Sequence, residues 1–362
     1  MKALVYHGPG KKSWEDVPDP TVEEATDAVV RVDTTTICGT DLHILKGDVP
    51  AVTQGRVLGH EAVGTVVETG SEVEGLTTGD RVVVPAITNC GQCAYCLKGL
   101  ASHCQSVGGI GWIFGHLIDG TQAEYVRVPY ASTSLVKVPE GLSDEQVLYL
   151  SDILPTGYEI GVLNGDVAPG STVAVIGVGP VGLAAVMSAA FQGAERIIAV
   201  DGDAFRLETA KGFGATDTID AAPPPALRRT AGSLSTEVAA EIKAMTADGL
   251  GVDTAIEAVG IPDTFTTAVS CIRPGGTIAN VGVHGAPVEF PIQRLWIENI
   301  TLRTGLVSGS TISELLDGVL QEKISPERFT THRYGLGDIL EAYSVFGDAP
   351  RHKALKVVLS AS

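Results

Sequence analysis

The apolar run Thr172-Val173-Ala174-Val175-Ile176 leads directly into Gly177-Val178-Gly179-Pro180-Val181-Gly182, and this constrains the chain more than any other feature. Five apolar or β-branched residues read as a parallel strand buried on both faces. Three glycines at this spacing read as the turn into a helix, here Val181–Gln192. The first permits a tight turn, the second lets backbone approach a pyrophosphate, and the third lets helix and strand pack closely. Backbone N–H groups at the helix start then face anionic oxygens. A plain turn with a helix cap would also use glycine, but Asp201 adds context. It ends the next strand, Ile197–Val200, 19 residues past Gly182, where a carboxylate accepts the ribose hydroxyls of an adenosine.

Two more strands, Asp253–Glu257 and Thr277–Val281, continue the alternation with helices, so this part of the chain reads as βαβ units of a doubly wound α/β sheet. Ala221–Thr230, with Pro223, Pro224 and Pro225, reads as a surface loop between units. The first 150 residues have another texture. Ala28–Val32, Ala62–Val67 and Arg81–Val84 are short β-rich runs separated by glycines, which suits a compact barrel-like β domain. A length of 362 residues accommodates two such domains. After about Leu306 short mixed elements return.

Charge excludes two classes of partner. Lys and Arg number 25 against 43 Asp and Glu, a formal charge of −18, whereas nucleic acid and anionic membrane surfaces need a basic face. Met1–Tyr6 has one lysine and no long apolar stretch, so no signal peptide is expected. The most apolar window, Thr172–Ala190, is interrupted by glycines and a proline and is not a membrane span. A cytoplasmic protein with a small-molecule substrate is the expectation.

Five of the six cysteines lie in the first third. Cys90-x2-Cys93-x2-Cys96-x7-Cys104 places four soft ligands within fifteen residues, the pattern of a closed structural zinc site. An iron–sulfur cluster begins similarly, but its fourth cysteine comes sooner and precedes proline, whereas Gln105 follows Cys104. Cys38-Gly39-Thr40-Asp41-Leu42-His43 and Gly59-His60-Glu61 offer the donors of an open, catalytic metal site. A buried Cys38 and a capping His60 are the bland alternative. Asp152 alone reads as a helix cap or a solvated acid. Cys271 reads as a small buried apolar residue.

Gly59-His60-Glu61, the four-cysteine loop, Gly177–Gly182 with Asp201, and the run Ser151-Asp152-Ile153-Leu154-Pro155-Thr156-Gly157-Tyr158 together resemble the zinc-dependent alcohol dehydrogenases of the medium-chain dehydrogenase/reductase family. The last run resembles the formaldehyde-dehydrogenase-like branch, in which aspartate replaces a cysteine ligand. The resemblance spans essentially the whole chain. It implies a GroES-like, β-barrel-type catalytic domain (1–155 and 307–362) plus a doubly wound Rossmann coenzyme domain (156–306). It implies two Zn²⁺ per chain, one catalytic on Cys38, His60 and Asp152, and one structural. Glu61 becomes a neighbouring carboxylate or transient ligand, and Asp41 the hydrogen-bond partner of His60. Thr40 and His43 match a proton relay. Thr156 and Val283 match positions beside a nicotinamide, and Lys356 a cation on the pyrophosphate.

Asp201 would repel a 2′-phosphate, and Asp203 adds another acid, so NAD is expected over NADP; Arg206 is the nearby cation. Ala86 and Trp112 match the substrate pocket, with Leu295 and Trp296 as further apolar walls. The small Ala86 leaves room for a second alkyl group on the carbinol carbon. The expected activity is NAD-linked interconversion of short- to medium-chain primary or secondary alcohols with aldehydes or ketones. The rivals are a formaldehyde dehydrogenase or dismutase and a non-catalytic nucleotide-binding protein like the family's lens crystallins. The resemblance also implies a homotetramer or homodimer, formed around Thr277–Thr304.

Overall fold

The computed structural model describes residues 1–222 and 233–361. All but the first two residues of the expected Ala221–Thr230 loop lie outside them. The chain divides into two compact units, Met1–Pro155 with Ser308–Ser362, and Thr156–Val307. Among the described residues, no helix is long and apolar enough to cross a membrane.

The first unit is built on a seven-stranded sheet. Thr330–Gly335, Lys356–Ser360, Ala28–Thr36, Ala62–Thr69, Arg81–Val84 and Val136–Lys137 pair in that order, with Tyr125–Val128 also on Ala28–Thr36. Bulges at Val29/Val30 and Val32/Thr34 bend the central strand. Its first half then pairs with Tyr125–Val128 and its second with Val358–Ser360. Val30, Val32, Val66, Val82, Val84, Val126 and Val128 fill the interior around Phe114. The three expected strands are present; Tyr125–Val128, Val136–Lys137 and the two that follow residue 329 were not foreseen.

The second unit is a six-stranded parallel sheet. Numbered along the chain, its strands are Thr172–Ile176, Arg196–Asp201, Asp217–Asp220, Val252–Glu257, Ile272–Asn280 and Thr301–Thr304. Their spatial order is 3-2-1-4-5-6, the doubly wound arrangement, with its switch point beside the first strand. Thr172–Ile176 matches expectation, and the helix begins one residue early because Pro180 occupies its first turn. Asp217–Asp220 and Thr301–Thr304 were not foreseen; both are four-residue outer strands with little apolar signal. Leu295, expected as a pocket wall, is 2% exposed and belongs to this unit's core, while Trp296 is exposed.

Candidate active site and metal centres

Two loops and a turn of the first unit bring one donor set together. Cys38 lies two residues past the central strand and caps the helix Gly39–Lys46, where Asp41 Oδ2 accepts the Cys38 N–H at 2.9 Å. His60 and Glu61 precede Ala62–Thr69, and Asp152 lies between the turns Tyr149–Ser151 and Ile153–Pro155. Donor atoms of Cys38, His60, Glu61 and Asp152 all lie within 4.8 Å of one another. His60 Nε2 is 3.4 Å from Asp152 Oδ2, and Cys38 Sγ is 3.8 Å from the same oxygen. Tetrahedral zinc with N, O and S donors has ligand–ligand edges of roughly 3.4–3.6 Å, so these atoms stand near a coordination shell.

Charge separates the fourth donor from the other three. Lys356 is 1% exposed, and its Nζ lies 2.7 and 3.0 Å from the two Glu61 oxygens and 3.0 Å from Ile37 O. Glu61 is thus already neutralised. Cys38 and Asp152 remain as two anions beside a neutral-capable imidazole, which matches a divalent ion. Lys356, which the resemblance implied as a cation on the pyrophosphate, here turns its three donors to Glu61 and Ile37 O in the interior.

The same burial pushes the Cys38 thiol and the Asp41 and Glu61 carboxyls above their ordinary values. Burial works against the His60 imidazolium, but hydrogen bonds to Asp152 and Cys38 outweigh it and raise His60 well above its usual range. A cation among these atoms inverts that logic and favours thiolate, carboxylate and neutral imidazole. Asp41 Oδ1 is 3.7 Å from His60 Nδ1, too far for the expected hydrogen bond. Its other oxygen is held by Gln122 Nε2 at 3.1 Å, and Gln122 in turn accepts from Tyr343 Oη at 2.8 Å. The sequence showed neither partner.

Thr40 Oγ1 lies 3.7 Å from Cys38 Sγ. His43, three residues further along the same helix, is about half exposed, and Asp48 Oδ2 holds its Nδ1 at 2.9 Å. Asp48 went unrecognised because it lies past the helix end. Ala86 is buried, and its N–H donates to Ser151 O at 2.8 Å, one residue from Asp152. The Trp112 ring stands 6.1 Å from that of His60, edge to face, and stacks on His116 at 4.4 Å.

The second donor set is Cys90, Cys93, Cys96 and Cys104, whose sulfurs also lie within 4.8 Å of one another and form no disulfide. Cys93–Cys96 and Cys90–Cys96 separations are 3.5 and 4.0 Å, bracketing the ~3.8 Å edge of a zinc tetrathiolate. Backbone N–H groups of Cys96 and Gln105 pull Cys93 down to about 6, so one ligand is already a thiolate near neutral pH.

In the second unit the glycine motif has the anticipated constraints. Gly177 has φ +88°, and a Cβ there would stand 2.2 Å from Val259 Cγ2; at Gly182 it would stand 1.9 Å from Gly177 O. Gly179 faces open space apart from Arg206, 3.7 Å away. Pro180 and Val181 open the helix. Asp201 Oδ2 accepts the Val178 N–H at 2.8 Å, and Arg206 Nη1 is 3.8 Å from the same oxygen. Asp203 caps the helix Ala204–Phe213, accepting from Phe205 and Arg206 N–H, and so serves the fold. Thr156 begins the segment Thr156–Leu163, and Val283 is exposed just past the Ile272–Asn280 strand.

A GroES-like sheet carrying two metal-donor sets and a doubly wound nucleotide unit define a zinc-binding dehydrogenase. Residues 24–140 match the alcohol dehydrogenase GroES-like domain, and residues 180–321 the zinc-binding dehydrogenase family. An alcohol dehydrogenase of Cupriavidus necator is 37% identical over 99% of this chain and 98% of its own length. The NADP-dependent isopropanol dehydrogenase of Thermoanaerobacter brockii is 35% identical over 100% of both chains. Among solved structures, zinc dependent alcohol dehydrogenase 2 from Streptococcus pneumonia (apo form) superposes with a TM-score of 0.91 at 48% identity, covering 100% of this chain and 99% of that one. The chain belongs to the zinc-type medium-chain alcohol dehydrogenase family.

Proposed function

We propose that this protein is a zinc-dependent alcohol dehydrogenase that oxidises short- to medium-chain alcohols, secondary ones included, with NAD. The carrying observation is the donor set Cys38, His60 and Asp152, left with two negative charges once Lys356 has neutralised Glu61. When bound, zinc supplies Lewis acidity that lowers the pKa of an alcohol hydroxyl, and the nicotinamide supplies the hydride acceptor. Cys38, His60 and Asp152 would hold the ion, while Glu61 stays paired with Lys356. The proton leaves through Thr40, beside Cys38, and His43, whose imidazole is oriented by Asp48. Ala86 leaves space on the substrate side, and Trp112 gives an apolar wall. Cys90, Cys93, Cys96 and Cys104 would hold a structural zinc.

Asp201 supports NAD, as a carboxylate at the end of its strand that would accept the ribose hydroxyls. Arg206, close to both Asp201 and Gly179, favours the second reading, NADP, as does the coenzyme named for the Thermoanaerobacter relative. Asp152 and its flanking run support placement in the formaldehyde-dehydrogenase-like branch. The assembly we propose is a homodimer or homotetramer, acting in the cytoplasm.

The test pairs metal analysis with NADH and NADPH absorbance assays on 2-propanol, 2-butanol, ethanol and formaldehyde, comparing wild type with Asp152→Ala. The reading requires two zincs per chain, oxidation of secondary alcohols, and loss of one zinc together with activity in the variant. Full activity in Asp152→Ala overturns the ligand set. Turnover of formaldehyde alone overturns the substrate class.

A further inference from the structure

A buried carboxylate at the cofactor edge of the second unit is unaccounted for by the motifs above. Glu257 ends the strand Val252–Glu257 and is fully buried. Its Oε1 accepts three hydrogen bonds, from Val259 N at 3.0 Å, Gly260 N at 2.9 Å and Thr264 Oγ1 at 2.7 Å. Its backbone oxygen accepts two more, from Val281 N at 2.8 Å and Gly282 N at 3.0 Å. One residue therefore ties together the loops that follow two adjacent strands, at the carboxyl edge where doubly wound sheets bind ligands.

Beside those backbone bonds there is one side-chain approach between the loops. Among the described residues Glu257 Oε2 accepts no hydrogen bond, and it stands 3.3 Å from His284 Nε2. That nitrogen's hydrogen bond runs to Asn280 Oδ1 at 2.8 Å. Asn280 Nδ2 donates to Gly282 O at 2.9 Å, which leaves Oδ1 as the acceptor and puts the proton on Nε2. The proton thus goes to Asn280 Oδ1, and the buried carboxylate oxygen Oε2 stands 3.3 Å from the same nitrogen.

Packing around the joint leaves no slack. A Cβ on Gly282 would lie 2.3 Å from Gly260 N and 2.4 Å from Glu257 Oε2, and one on Gly260 would lie 2.2 Å from Val283 O. Phe265 meets the His284 ring edge-on at 5.8 Å. The 258–260 loop also presses on the glycine motif through Val259 and Gly177. Glu257 thus stands between the Val283 loop on one side and the glycine turn on the other.

We infer that Glu257 is a positioning residue for the dinucleotide, setting through His284 the place of the loop that carries Val283. The inference rests on the reading of this edge as a coenzyme site. Glu257→Gln tests it sharply: the side chain keeps its size and its Oε1 acceptor but turns an N–H against the Nε2–H of His284. His284→Ala breaks the same joint from the other side.

The measurement is the equilibrium dissociation constant of NADH or NADPH, whichever wild type binds more tightly, by fluorescence titration of the zinc-loaded enzyme. AMP or 2′-AMP respectively serves as the probe of the adenosine half alone. Each single variant raises the dinucleotide constant about tenfold, leaves the adenosine probe within about twofold and keeps the thermal midpoint; the double variant is no weaker than either single one. An unchanged dinucleotide constant overturns the inference. So does equal weakening of dinucleotide and adenosine probe, or full additivity of the two variants. If wild type binds neither dinucleotide, the coenzyme reading itself falls, and the inference with it.

Discussion

Lys356 and Glu61, separated by 295 residues of chain, form a buried ion pair with Nζ 2.7 Å from Oε1, both side chains 1% exposed. The carboxylate sits beside the metal donors, and the lysine makes its charge tolerable there. Removing one partner of such a pair strands the other in the interior.

Lys356→Met should therefore destabilise the zinc-loaded enzyme by about 3–5 kcal/mol. Adding Glu61→Gln to it should recover most of the loss. Urea unfolding of the two variants checks this, and a double variant as unstable as the single one would show that Lys356 acts by packing alone.

Cys93→Ser removes the sulfur that backbone N–H groups already hold as a thiolate. Zinc should fall from two to one per chain, with a clear drop in thermal midpoint, because a structural zinc contributes directly to folding. The Asp152 site should keep its ion. Metal analysis beside a melting curve decides, and retention of two zincs would count against the four-thiolate site.

Cys271 is wholly buried in the second unit's core, and burial pushes its thiol up to about 12. At pH 8 only about one in ten thousand of these thiols is ionised. An alkylating reagent should spare it in the folded enzyme, even after a chelator has exposed Cys38, Cys90, Cys93, Cys96 and Cys104. Peptide mapping reads the outcome, and rapid labelling of Cys271 in folded protein would contradict its packing.

Asp217 is held below the usual carboxylate range chiefly by its two-pronged bond with Arg196, at 2.9 Å on each oxygen. A carboxylate lowered on folding stabilises above its unfolded pKa and loses that contribution as pH falls through the folded one. Asp217→Asn should cost about 1 kcal/mol at pH 7, a value kept small by partial solvent exposure. The gap from wild type should narrow as pH drops below about 4. Urea midpoints between pH 7 and 3.5 test the sign, and a gap that widens on acidification would reverse it.

What the sequence made legible was whatever is local in it. The cysteine loop carries its geometry in spacings of a few residues, and the glycine motif Gly177–Gly182 became legible from its spacing together with the strand before it and Asp201 after it. Asp152 lies 92 residues from His60 and came only through resemblance, since nothing nearby distinguishes a ligand from a cap. The pairing of Lys356 with Glu61 went unread because charge predicts contact with anions without saying which anion, and here the partner is an interior carboxylate. Glu257 gave no signal at all: its partners are backbone N–H groups and a histidine on the next loop, brought together only by sheet register. Short outer strands such as Thr301–Thr304 escaped because they bury little and so show little pattern.

The pairing of Lys356–Ser360 with Ala28–Thr36 also sets an order of events during synthesis. The Thr156–Val307 unit is an uninterrupted stretch of chain and can close its own sheet as soon as it clears the ribosome. The unit that surrounds it must wait. Until residues 356–360 arrive, the strand Ala28–Thr36 lacks its partner along Thr34–Thr36 and Glu61 lacks its counter-charge. On the nascent chain the six-stranded sheet can therefore close while the seven-stranded one waits, and the Glu61–Lys356 ion pair is among the last contacts to form.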